Sequence, residues 1–363
     1  MNSVNYFNLL LAVFALLGGI DYLLDNKFGL GDGFYRGLKC AGPLILSMAG
    51  FMTLTNWFGS ILTPAVGPFL TKIGADPSLA AGLVLAVDCG GAVLADTMAL
   101  DAQAAILNGW FVASMFGSGF NGNIPLSVMA VSENRRKPVL LGLTMGIAAI
   151  PFGSAIGGFV AGIAPRTILQ NMLPLTVLSA VIVAVMLLFG EKLIGFLKVL
   201  SRLNILICVA GLVIAALGEL CGIEVLQSRM DFAEIMSIIG RIVLTICGMF
   251  PLMNLILRAA AKPLDRAAEK RGLRSIDVSG LAMNLVNSYA SIDRLQDMSD
   301  RGIMLNCAFG ICAGYALGDQ LAYAAALRPE LSFPLVAAKL TAGLLSLALS
   351  DLLYKVLRKR KAI

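Results

Sequence analysis

GLVLAVDCGGAVLAD, Gly82–Asp96, is apolar enough to enter a lipid bilayer and poorly suited to cross it. Apolar runs flank Asp88-Cys-Gly-Gly91, and a second acid, Asp96, closes the stretch. A carboxylate at mid-depth costs at least ~2.5 kcal/mol on insertion scales, and glycine lets a backbone approach a ligand or a neighbour closely. Irregular backbone of this kind is tolerated in a membrane where it is buried in protein or faces water. The spacing therefore predicts a re-entrant hairpin near 79–100. A second segment, near 276–296, carries Asn284, Asn287 and Ser288 and predicts another.

Around these two segments the chain is almost wholly apolar. Of 363 residues 58% are hydrophobic and 14% charged, with a mean hydropathy of +0.85. No soluble fold needs that much apolar surface. About 20 apolar residues cross a hydrocarbon core of roughly 30 Å, and such stretches follow one another near 6–24, 38–62, 79–100, 102–130, 138–164, 172–196, 203–224, 235–259, 276–296, 302–327 and 331–357. The first lacks a basic n-region and a small-residue cleavage site, so it reads as a span and not as a cleaved signal. The expectation is an all-α integral membrane protein with about 9–11 membrane segments.

Slid against itself by 198 residues, the chain aligns LILSMAGFMTLTN (Leu44–Asn56) with IVLTICGMFPLMN (Ile242–Asn254) without a gap. The same offset pairs Gly50 with Gly248, Gly74 with Gly272, Gly82 with Gly280, Asn108 with Asn306, Phe111 with Phe309 and Asp21 with Glu219. Apolar matches arise by chance; matched glycines, amides and acids in one register point to duplication. The reading is one repeat over 1–165, a connecting span over 166–200 and a second repeat over 201–363.

Lys and Arg positions bear on topology. If all the segments cross, the basic residues outside the spans divide 14 to 12 between the two sides; if the two hairpin segments return on the side they enter, the division is 22 to 4. The positive-inside rule favours the second arrangement. Equivalent segments are then separated by an odd number of crossings, so the repeats are inverted, with opposed hairpin tips near the midplane, where carriers of this architecture bind their solutes.

Polar residues inside the apolar segments are the candidate site. Asp88 lies at the first predicted tip. Asp319 lies in ALGDQL (Ala316–Leu321) between Tyr315 and Tyr323, and its repeat mate is Asn121. A carboxylate flanked by aromatic rings suits a small ammonium through charge pairing and cation–π attraction. Asn287, Asn108 and Asn306 offer amides to a hydroxyl, or serve as glue between helices. Asp21 and Glu219 close their segments with a structural role. Lys339 either neutralises a buried acid or snorkels. The stretch 259–274 reads as a charged amphipathic connector.

Several classes are excluded or disfavoured. Histidine is absent, which removes His-ligated haem, the usual zinc sites and His proton relays. The seven cysteines form no CxxC pair and lie in apolar stretches, so they read as packing residues. No GxxxxGK[ST], GxSxG or HExxH occurs, so neither a Walker-type ATP site nor a familiar hydrolase motif is visible. No cofactor or metal is expected, and the chain does not read as an enzyme. The net charge of +6 comes from clusters such as Arg135-Arg136-Lys137, which belong to cytoplasmic loops and not to a nucleic-acid surface.

GADPSLAAGLVLAVDCGGAVLAD (Gly74–Asp96) and the pair Leu305–Phe309 and Tyr315–Asp319 closely resemble the ethanolamine-utilisation transporter family, EutH, and the resemblance covers most of the chain. It implies an inner-membrane permease that admits ethanolamine, as the protonated amine, in bacteria that catabolise it. The family's Gly-Asp-His-Leu stands here as Gly318-Asp-Gln-Leu321, which weakens a proton-linked role there. The expected partners are a small amine and the lipid bilayer, with no nucleic acid; a homo-oligomer is compatible with the reading. The alternatives are an ion-coupled carrier for another small polar solute and a non-transporting membrane scaffold.

Overall fold

In the computed structural model, which describes residues 6–226 and 230–359, all regular structure is helical. In chain order the main helices are α1 (Tyr6–Leu23), α2 (Gly31–Lys72), α3 (Ser78–Val84), α4 (Ala92–Met98), α5 (102–117), α6 (Arg136–Val160), α7 (Pro165–Cys221), α8 (Phe232–Arg271), α9 (Ser275–Val286), α10 (Ser288–Ile292), α11 (Asp300–Ala313), α12 (Asp319–Leu327) and α13 (Ser332–Lys359). Among the described residues, six stretches are long and apolar enough to cross a bilayer: Gly31–Lys72, Glu133–Val160, Pro165–Gly190, Arg202–Cys221, Phe232–Pro263 and Pro329–Lys359. This is a multi-pass membrane protein.

Six is fewer than the sequence led us to expect, because the remaining apolar stretches are short or broken. Helices α3 and α4 have 7 residues each, so each is about 10 Å long against a core of roughly 30 Å. The break between them lies at Leu85 and Ala86, both extended, and a second irregularity follows at Cys89 and Gly90. In the other stretch Asn287 is extended (φ −153°, ψ 108°) between α9 and α10. The first break thus comes three residues before Asp88, at apolar positions that no breaker residue marks.

Helix α7 runs for 57 residues through what reads as two spans, and only Phe189, at φ −129° and ψ 19°, departs from helical geometry. Helix ends nevertheless recur at or near the 198-residue offset: α1 stops at Leu23 and α7 at Cys221, 198 residues on, while α6 begins at Arg136 and α13 at Ser332, 196 residues on.

Matched glycines make matched contacts. A side chain at Gly50 on α2 would run into the Cys208 carbonyl of α7, and one at Gly248 on α8 would run into the Leu11 carbonyl of α1. Each of these long helices, α2 and α8, therefore packs a glycine against the carbonyl of a helix far away in sequence. Helix α6 packs closely on α7, α11 and α13 and forms the middle of the molecule.

Candidate functional site

Each broken segment is fastened to the helix after it by one asparagine. Asn108, on α5, donates from Nδ2 to Ser78 Oγ at 3.0 Å and to Asn171 Oδ1 at 2.9 Å. Asn306, on α11, donates to the Asp277 carbonyl at 2.7 Å and the Gly302 carbonyl at 2.9 Å, and accepts from Ser291 Oγ at 3.1 Å. The glycines matched across the repeat sit at these crossings, since side chains at Gly82 and Gly280 would strike the Asn108 carbonyl and the Asn306 amide. Both asparagines lie at the starts of the broken segments with their Nδ2 groups bonded to protein, while Asn108 Oδ1 is buried without a partner. The structure does not bring them together with Asp88 and Asp319.

The two acids do come together. The turn that carries Asp88 leads into α4, and it packs against α12, whose first residue is Asp319. Asp319 stands at the N-terminal end of α12, where unpaired N–H groups and the helix dipole favour negative charge, while Asp88 lies in the turn three residues before Gly91, the N-cap of α4. Asp319 Oδ1 accepts from the Gln320 N–H at 2.8 Å. Asp88 is buried, and its Oδ1 has no hydrogen-bond partner. Buried oxygens are rarely left so, because the desolvation cost is then uncompensated.

Lys339, on α13, completes the cluster. With 0% exposure it does not snorkel; its ammonium donates to the Ser114 carbonyl at 2.6 Å and to Gln320 Oε1 at 2.8 Å. Gln320 follows Asp319 directly in the chain, and the turn that carries Asp88 packs against the same helix, α12, so Lys339 is held beside both acids. Of the two roles open to Lys339, neutralising buried acid is the one its surroundings support.

Aromatic and amide groups surround this cluster. Tyr315, in the break before α12 at φ 60°, has its ring 5.7 Å from that of Tyr289, edge to face. The Tyr315 and Leu317 N–H groups donate to the carbonyls of Asn284 and Leu285, which ties the break before α12 to the end of α9. Trp110 and Tyr323 stand 5.3 Å apart, with Tyr323 within electrostatic reach of Asp88. Asn121 Nδ2 is buried without a partner, as is Ser288 Oγ. Asn287 caps α10, its Oδ1 accepting from the Tyr289 N–H at 2.9 Å. A small cavity of about 10 Å³, room for roughly one water, is lined by Ser288, Asn123, Asn284, Ser291 and Asn306 together with apolar side chains such as Ile292 and Ile311.

Residues 4–353 match the family described as "Ethanolamine utilisation protein, EutH". The chain belongs to the EutH family. It is 32% identical to the "Probable ethanolamine permease EutH" of Listeria monocytogenes over 97% of this chain and 95% of that protein. It is 31% identical to "Uncharacterized protein YxeR" of Bacillus subtilis over 93% of this chain and 92% of the relative, and 28% identical to the "Probable ethanolamine permease EutH" of Salmonella typhimurium over 94% and 93%. No solved structure matches the chain.

In this EutH-family chain the groups that sequence reasoning left out are Gln320, Tyr289 and the Ser114 carbonyl; Lys339 stood out as a lysine within an apolar span, with neutralisation of a buried acid as one of its two open roles. For Gln320 the signal was its place next to Asp319. Asp21 does what its position implied, accepting from the N–H groups of Phe28, Leu30 and Gly31 at 2.7–2.8 Å and so closing the loop after α1.

Proposed function

We propose that the chain is a carrier for protonated ethanolamine in the plasma (inner) membrane, built as an inverted repeat whose two hairpins meet at the solute. The observation that carries this reading is the Asp88 carboxylate, buried with a free oxygen and facing Asp319 among Tyr315, Tyr289 and Tyr323. An ammonium ion supplies what that oxygen lacks, and aromatic faces add cation–π attraction of about 0.5–2 kcal/mol. Asn121 and Ser288 hold unspent hydrogen-bonding capacity for a hydroxyl. Asn287 caps α10 at the second tip, while Asn108 and Asn306 keep the hairpins in place. The permease names carried by the relatives support the same solute.

The driving force need not be a second ion. An inside-negative potential of 100 mV is worth ~2.3 kcal/mol per charge, enough to concentrate a cation roughly 50-fold. The test is uptake of labelled ethanolamine into proteoliposomes with and without that potential. Saturable uptake that rises with the potential, and that is lost in Asp88→Asn and Asp319→Asn, is the expected result. Uptake no greater than in empty liposomes would overturn the reading.

A further inference from the structure

The buried cluster brings together three ionisable side chains, the carboxyls of Asp88 and Asp319 and the amine of Lys339. The lysine is not paired with either acid in the manner of a surface salt bridge. Its two hydrogen-bond partners are neutral oxygens, the Ser114 carbonyl and Gln320 Oε1, the second on the residue next to Asp319. Three separate elements, α5, α12 and α13, hold the ammonium at a fixed place while Asp88 Oδ1 stays unpartnered. Besides the two acids, the titratable group facing Lys339 is the Cys312 thiol of α11.

We propose that Lys339 is a specificity-determining residue: a tethered counter-cation that leaves the solute site with one unbalanced negative charge, and so confines the carrier to solutes with a single positive charge. The inference rests on the carrier reading above. Burial of net charge is strongly unfavourable unless it is paired, so a site with two acids and one fixed ammonium is best filled by one further monovalent cation. A two-carbon solute with a hydroxyl at its far end fits that balance. The same skeleton with a second ammonium in place of the hydroxyl leaves the site with an excess positive charge and sets that group against Lys339. Size does not separate the two solutes, and charge does.

Ethanolamine and 1,2-diaminoethane are therefore the probes, offered to proteoliposomes in a mildly acidic buffer that keeps both amines of the diamine charged. Wild-type protein is expected to take up ethanolamine and to exclude the diamine by about tenfold or more, as a single unfavourable charge contact of about 1.4 kcal/mol would dictate. Lys339→Gln is expected to invert the preference, admitting the diamine and losing ethanolamine by a similar factor, whereas Lys339→Arg keeps the preference for the monocation. Because a lone buried charge can unfold a protein, the pair Asp88→Asn with Lys339→Gln is the second arm. It restores the net charge and should recover ethanolamine uptake relative to Asp88→Asn alone. Unchanged selectivity in Lys339→Gln, or no recovery in the pair, would overturn the inference while wild-type uptake left the carrier reading standing. Wild-type protein that took up no ethanolamine would remove both.

Discussion

The two broken segments, 78–98 and 275–292, share their bases and differ at their tips. At the bases an asparagine from the next helix, Asn108 or Asn306, reaches back to the start of the hairpin. An acid also closes each base. Asp76 accepts from the N–H groups of Leu100 and Asp101 at 2.9 and 3.1 Å, and Asp277 accepts from the Ser299 N–H at 2.9 Å. At the tips the first hairpin carries Asp88 and the second carries Asn287, Ser288 and Tyr289; of the mates Asn121 and Asp319, only one is charged. Fastening needs hydrogen bonds that either half can supply in the same way. A site for a single cation cannot be symmetric, because two equal acidic tips with no lysine would bury one charge too many.

That contrast can be broken most decisively at the tips. Asp319→Asn should cost uptake about 100-fold or more, the scale of truncating one partner of a buried charge pair, with the folded protein still monodisperse in detergent. The mirror change Asn121→Asp, which adds a charge at the equivalent place, should abolish uptake without disturbing the bases; transport kinetics equal to wild type would show that the asymmetry has no functional weight.

At the bases the expected effect is on stability and is smaller. Asn108→Ala and Asn306→Ala should each lower unfolding stability by about 1–2 kcal/mol, the cost of leaving buried partners unmet, and by similar amounts in the two halves. Denaturant titration in detergent reads this directly, and strongly unequal losses would argue against equivalent fastening. The smallest effect belongs to a contact with no counterpart in the first half. Arg301 donates to Asp351 Oδ1 at 2.6 and 2.9 Å, where offset mates would be Gln103 and Gly153. Because this pair is partly exposed, Asp351→Asn should shift stability by no more than about 1 kcal/mol; a larger loss would make this ion pair a support of the second half alone.

Much of this was legible in the sequence where polarity interrupts apolar chain. Gly82, Gly280, Asn108 and Asn306 stand out because a glycine or an amide in a membrane segment has few reasons to be there, and they sit at helix crossings. Asp88 and Asp319 stand out because of their cost in the bilayer. The break at Leu85 and Ala86 was not legible, since ordinary apolar residues form it and what holds it is the N–H groups of Cys89 and Gly91 on the Ala86 carbonyl, contacts made only once the turn is folded. Nor was the continuity of α7, because a helix crosses an interface without any change in local propensity. The role of Lys339 depends on Ser114, 225 residues away in sequence, and on Gln320, and no spacing rule links residues across such distances.

The reciprocal contacts of Gly50 with the Cys208 carbonyl and Gly248 with the Leu11 carbonyl also govern how the molecule comes into being. The helix that covers Gly50 is synthesised about 150 residues after it, so the first half must wait in the bilayer with an uncovered seam until α7 leaves the ribosome. A chain interrupted before α7 would hold only half of each crossing, an easy target for membrane quality control. Two separately encoded halves, produced together, could supply each other's missing helix.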